Sequence, residues 1–303
     1  MKIKTSHKLS IGAEIVEEQN INKVGTFISD FFDKFRNHGT IAVLRLQGVI
    51  GKVGLKGGLT IESLNDSIEK AFKTPKLKAL CLIINSPGGS PVQSELIAQR
   101  ITSLAEKNEI PVYSFVEDVA ASGGYWLACA GSEIYASKSS IIGSIGVISS
   151  GFGFHEAIEK IGIERRIYTQ GNNKSILDPF TKAKESDVRI IKNMQKYIHD
   201  HFIDYVKTKR RRKLSQTDDI LFNGEFWTGE VAAEFGLIDG ISDLYSFARE
   251  KFGDKVKIEY ITPKKSWMKQ KLGIESPKDL ASEIVDEVIT KASEYSAYSK
   301  FGL

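Results

Sequence analysis

Three short stretches hold residues whose types and spacing suit covalent chemistry. The first is Asp118-Val-Ala-Ala-Ser-Gly-Gly-Tyr-Trp126, which follows the apolar run Pro111 to Val116 and precedes Leu127-Ala-Cys-Ala130, closed by Gly131. A buried strand running into a short helix would place Ser122 at the turn between them, on the first turn of the helix. Its neighbours Ala120, Ala121, Gly123 and Gly124 are all small. Such a turn lets a hydroxyl protrude and lets another chain approach the backbone closely. Unpaired N–H groups at a helix start also favour negative charge. A serine there can attack a carbonyl while backbone amides hold the oxyanion. A helix N-cap serine with glycines for packing accounts for the same residues.

The second stretch is Asn85-Ser-Pro-Gly-Gly-Ser90, after the apolar run Ala79 to Ile84. In open α/β sheets, ligands bind beyond the C-terminal ends of strands, where this loop would lie. Pro87 fixes one φ, and Gly88 and Gly89 leave their amides unobstructed. With Gly123, one of them would supply two donors aimed at one point. The third element is a base. No histidine falls in a loop near Ser122, and His155, at a helix start, is a remote candidate. A lysine serves if burial lowers its pKa from about 10.4 toward neutrality. Among many lysines, Lys174 follows a Gly-Asn-Asn turn and precedes Ile176-Leu177, which puts it at an element end.

The elements that must hold these groups read as alternating strands and helices. Ile41 to Leu46, Ala79 to Ile84 and Pro111 to Val116 are strands. Helices run from the Thr60 cap to about Phe72 and from about Val92 to Glu106. This alternation predicts a parallel α/β core with right-handed crossovers. Further on, Glu133 to Ala136, Ile167 to Thr169, Leu237 to Asp239 and Lys257 to Ile261 read as strands, and Ser139 to Gly153 as turns. Helices are expected at His155 to Ile161, about Lys182 to Lys213, just after the Thr228 cap, and at Ser242 to Phe252. The basic end of the long helix, Lys207 to Lys213, reads as a solvated turn that complements the helix dipole.

Composition narrows the function classes. The 303 residues are 41% hydrophobic and 26% charged, with net charge +4. That balance supports a sizeable core and gives no footprint for nucleic acid. Cys81 and Cys129 sit in apolar segments and read as small hydrophobes. The five histidines are scattered, so neither a metal site nor a cofactor is expected. No signal-peptide pattern and no apolar run of membrane-spanning length is present, which predicts a cytoplasmic chain or one held peripherally at the inner membrane face. Val24, Phe27, Ile28, Phe31 and Phe35 form an apolar helical stripe. It would pack on the main domain or a sister subunit, or lie on a membrane surface through Phe27, Phe31 and Phe35.

The chain resembles the signal peptide peptidase A (SppA-like) serine peptidases, short single-repeat form, of the ClpP/crotonase superfold. The residues that carry the resemblance are Asn85 to Ser90, Asp118 to Trp126, Ile142-Gly-Ser-Ile-Gly-Val147, Lys174 in its loop, Trp227-Thr-Gly-Glu230 and Gly236-Leu-Ile-Asp239. It implies a ClpP/crotonase-like α/β fold with a parallel core, flanking helices, and helical N- and C-terminal extensions. The expected domains are residues 1–40, an extension with the amphipathic helix; 41–262, the peptidase domain; and 263–303, a helical tail. It further implies a Ser122/Lys174 dyad, with Gly88, Gly89 and Gly123 amides as oxyanion donors. Ser144 would contact substrate, and Ile142 and Ile145 would help line the cleft. The implied partners are peptides such as released signal peptides and further copies of the chain, with the dyad meeting across a subunit boundary. A crotonase-like acyl-CoA enzyme and a non-catalytic membrane scaffold are the competing readings on the same superfold.

Overall fold

Apolar runs of strand length, spaced by helices, form the centre of the molecule. The computed structural model describes residues 39–54, 57–262 and 277–303, the last without side chains before residue 287. The Phe27, Phe31 and Phe35 stripe, and with it the N-terminal extension, lies outside the described residues. In order come β1 (Thr40–Gln47), α1 (Ile61–Phe72), β2 (Leu77–Ser86), α2 (Pro91–Asn108), β3 (Val112–Ala121) and α3 (Gly123–Ala128). Then follow β4 (Glu133–Ala136), β5 (Ile141–Gly143), α4 (His155–Lys160), α5 (Glu185–Arg210) and α6 (Asp218–Leu221). The chain continues through β6 (Phe226–Thr228), α7 (Gly229–Glu234), β7 (Gly240–Ile241), α8 (Leu244–Phe252), β8 (Lys257–Tyr260) and α9 (Pro277–Tyr298).

The sheet order is β6-β5-β3-β2-β1-β8, with β4 beside β3 and β7 beside β4. All pairings are parallel except β5 with β6. Strand alternation sorts the side chains to two faces. Leu44, Leu46, Leu82 and Ile84 join Ile68 of α1 and Ile97 of α2 in one core. Ile41, Val43, Cys81 and Phe115 join Phe247 of α8 in the other. Both faces are therefore covered, as the nearly unbroken apolar strands require. This is the expected α/β class, with a mostly parallel core and flanking helices.

One irregularity positions the site. The first half of β3 pairs with β4 along Tyr113–Val116, and its last three residues pair with β5. A register shift against β2 between Ile84 and Ser86 accompanies the switch. β3 thus continues through polar Glu117-Asp118, past the expected end at Val116, and delivers Ser122 one residue beyond the ladder.

Elsewhere the structure departs from the sequence reading for identifiable reasons. Leu237 to Asp239 is not a strand. The Leu237 carbonyl accepts from the Tyr125 hydroxyl at 2.7 Å, and the Gly236 carbonyl from Arg210 Nε at 2.9 Å. Side chains thus take carbonyls that a ladder would use. Ile167 to Thr169 lies in no strand. β5 arises inside a stretch read as turns, and β6 ends on Thr228, read only as the cap of the following helix. The basic run ending α5 is not wholly solvated. Arg210 is buried and donates to Asp239 Oδ2 at 2.6 Å, and Lys213 reaches Oδ1 of the same carboxylate at 2.5 Å. Burial opposes the charge on Asp239, but those hydrogen bonds outweigh it and hold the carboxyl below its ordinary range. The chain divides into residues 1–39 and 40–303, so α9 belongs to the same unit as the sheet.

Candidate active site

Ser122 stands where β3 meets α3 with φ 52° and ψ −121°. A non-glycine residue held at positive φ is strained by about 1–3 kcal/mol and persists only where its surroundings over-determine it. Here they do. The Ser122 amide donates to Gly143 O at 2.8 Å, and its carbonyl accepts from Tyr125 N at 2.9 Å and Trp126 N at 3.1 Å. Trp126 stacks on Phe202 and Tyr205 of α5, with centroids 4.7 and 4.9 Å away. Although Ser122 occupies the N-cap position, its hydroxyl makes no capping bond. It faces a cleft instead, so the N-cap account of this serine does not hold.

The Pro87-Gly88-Gly89 loop touches this turn directly. A Cβ on Gly88 would lie 2.8 Å from Ala121 O and from Ser122 Cβ, and 2.9 Å from Gly123 N, so only glycine fits there. Gly88 also has φ +100°. Its amide is already engaged, donating to Ser86 Oγ at 3.2 Å. No hydrogen bond among the described residues uses the Gly89 or Gly123 amide. A Cβ built on Gly123 would lie 3.4 Å from Gly89 N, which brings these two glycines together. Of the three expected oxyanion donors, Gly89 and Gly123 are the available pair.

The cleft has a volume of about 460 Å³ and is lined by Gly88, Gly89, Ser122 and Ser144 together with Val147, Ile148 and Phe226. Ile142 and Ile145 do not line it; both are fully buried in the core. The Ile145 carbonyl lies 3.1 Å from His199 Nε2, and Ser144, at φ 51°, donates its amide to Glu225 O. The wall is therefore made by the residues just after Ile145. Lys300 and Phe301 also line it. Local sequence gave no sign of them, because they lie far along the chain from every motif.

Lys174 is not among the residues that line the Ser122 cleft. It sits in a turn, its amide donating to Gly171 O at 3.1 Å, with its side chain exposed. The whole segment from residue 148 to 184 is thinly packed. Phe152 and Tyr168 are 82% and 92% exposed, and Ile148, Ile161 and Ile163 are also exposed. His155 lies on this segment too, 3.8 Å from Glu156. The cysteines offer no rival nucleophile: burial pushes the Cys81 thiol up to about 12 and the Cys129 thiol to about 11. Among the described residues no group of His, Cys, Asp and Glu could hold a metal ion.

A strained serine at the end of a parallel strand, facing paired glycine amides in an apolar cleft, is the geometry of an acyl-transfer site. Comparison with known proteins is consistent with this class. The model of Peptidase family S49 matches residues 105–257, and the chain belongs to that family. It is 34% identical over 216 residues to Protease 4 of Salmonella typhi, across 68% of this chain and 33% of that protein. It is 47% identical over 272 residues to a Brucella melitensis protein named Na(+)/H(+) antiporter NhaA, across 87% of this chain and 37% of that one. The chain thus spans about a third of the length of these relatives. No helix among the described residues is long and apolar enough to cross a membrane. A solved membrane-bound stomatin-specific protease aligns with TM-score 0.48 and 17% identity, over 75% of this chain and 99% of that one.

Proposed function

We propose that the chain is a serine endopeptidase in which Ser122 is the nucleophile and Lys174 of a neighbouring copy is the general base. The observation that carries the reading is Ser122 itself: positive φ, uncapped hydroxyl, and two unused amides at Gly89 and Gly123 beside it. In the first step, the uncharged Lys174 amine takes the hydroxyl proton as Oγ bonds to the peptide carbonyl carbon. The oxyanion is held by the two amides, each worth roughly 2.7–4 kcal/mol of barrier. Collapse breaks the C–N bond, and the lysine ammonium protonates the leaving amine. Water then attacks the acyl ester, giving up a proton to Lys174; the acyl–Oγ bond breaks, Lys174 returns the proton to Oγ, and the carboxylic product leaves.

The exposed apolar side chains of residues 148–184 support the oligomer this requires. Isolated exposed hydrophobes are ordinary, but a run of them on one thinly packed segment marks an interaction surface. Association of copies would cover that surface and remove water from around Lys174. Substrate would lie extended between Gly88-Gly89 and Ser144 to Ile148, adding its backbone as a strand. Val147, Ile148 and Phe226 favour small or apolar side chains, consistent with released signal peptides. Work at the cytoplasmic side of a membrane, with peripheral attachment, fits such a substrate. A fluorophosphonate probe tests the nucleophile: it should label the wild-type chain and not Ser122→Ala, and equal labelling of both would overturn the assignment.

A further inference from the structure

The cleft around Ser122 carries a single charge among its described lining residues, and that charge comes from the far end of the chain. After α9 the chain makes a short 3₁₀ turn, Ser299–Phe301. Two contacts fix this turn. The Tyr298 hydroxyl donates to the Asn85 carbonyl at 2.7 Å, at the start of the loop that bears Gly88 and Gly89. The Phe301 ring meets Phe226, another lining residue, edge-on, with centroids 5.1 Å apart. Lys300 lies between these contacts and lines the cleft. Its ammonium forms no hydrogen bond or ion pair among the described residues. All other residues lining the cleft are uncharged.

We propose that Lys300 is a specificity-determining residue, which selects peptides that present a carboxylate to the α9 side of the cleft. An ammonium with no partner among the described residues, beside apolar walls, has its hydrogen-bonding capacity left for a ligand. A charge-assisted bond to a carboxylate there is stronger than one in open water. The other described residues lining the cleft supply no competing anion. The carboxylate is an Asp or Glu side chain near the scissile bond or the peptide's own C-terminus. The remaining contacts keep their preference for small and apolar side chains.

This inference rests on Ser122 being the nucleophile, so its test is built to separate the two. Matched peptides differ only by Glu against Gln at each position flanking the cleavage site, each with a free or an amidated C-terminus. With wild-type protein the preferred acidic peptide should show a KM on the order of tenfold below its Gln isostere, at similar kcat. Lys300→Gln should erase that ratio, and Lys300→Glu should invert it toward peptides with Lys at the same position. Whether the effect follows the Glu side chain or the free terminus identifies which carboxylate is read. An unchanged Glu/Gln ratio in Lys300→Gln overturns the proposal. So does an equal collapse of kcat on all peptides, which would make Lys300 part of the chemistry. Anisotropy with the same peptides on Ser122→Ala reads the charge preference without turnover. A preference there that Lys300→Gln removes upholds the role of Lys300 even if Ser122 proves not to be the nucleophile; no preference there overturns it.

Discussion

The turn at Ser122 and the segment around Lys174 are built in opposite ways. At Ser122 almost every neighbour is buried, and Gly88, Gly123 and Gly124 pack so closely that an added methyl at any of them would meet another atom within 2.8 Å. Such density holds a strained backbone and aims a hydroxyl without help from any other molecule. Around Lys174 the aromatic and aliphatic side chains face outward, and the turn is held by local hydrogen bonds. On the proposed reading, one chain would complete the nucleophile and its oxyanion donors, while the base would come from another copy. The contrast teaches that half of the proposed machinery is a folding product and half an assembly product.

The largest effect expected is at the nucleophile. Ser122→Ala should lower peptide hydrolysis by at least about 10³-fold, measured as kcat, with the fold intact by circular dichroism. Lys174→Ala should cost about 10²–10⁴-fold in kcat and leave the oligomer's size by light scattering unchanged. Retained activity in that variant would break the comparison, because the segment would then be irrelevant to chemistry. Wild-type kcat should also climb from neutral to alkaline pH, since the base works uncharged; a rate flat from roughly pH 5 to about pH 9 speaks against lysine.

Smaller effects sharpen the picture of the rigid half. Asp239 anchors Arg210 at the end of α5, the helix on which Trp126 stacks. Asp239→Asn leaves the buried guanidinium without its anion and should destabilise the fold by about 3 kcal/mol in urea. The Asp239 carboxyl is held low when folded. Its contribution is therefore complete above the ordinary carboxylate value of about 3.9 and is lost as pH falls through the folded one, so Asp239→Asn should flatten the acid limb of the stability curve. Gly88→Ala should cost about 2 kcal/mol through its clash and its φ. The smallest change is expected at Tyr168→Asp, which should leave the urea midpoint untouched while shifting the population toward smaller oligomers.

The sequence revealed the rigid half well. Apolar runs of strand length and the Thr60 cap located β1 to β3 and α1, and small residues around Ser122 and Pro87 marked the two turns that meet. It revealed less where pairing is non-local. β5 and β6 are three residues each, shorter than any periodicity can register, and exist because the end of β3 needs a ladder partner. The burial of Arg210 was hidden in a basic run, since its partner Asp239 lies 29 residues on. Ile145 looked like a cleft residue from its motif, yet the positive φ at Ser144 turns it into the core. Lys300 and Phe301 had no local signal, because α9 carries them to the cleft across the length of the chain. Gly89 rather than Gly88 as the unused amide depends on one side-chain bond from Ser86, below the resolution of any motif.

The claim that two copies complete one site can be tested by mixing two dead proteins. Ser122→Ala and Lys174→Ala are each purified, combined in equal amounts, dissociated and reassembled. If the hydroxyl of one copy works with the amine of the next around a closed ring, random mixing restores about a quarter of wild-type kcat per subunit. Mixed oligomers, verified by native mass spectrometry, that remain as inactive as either parent would contradict the account.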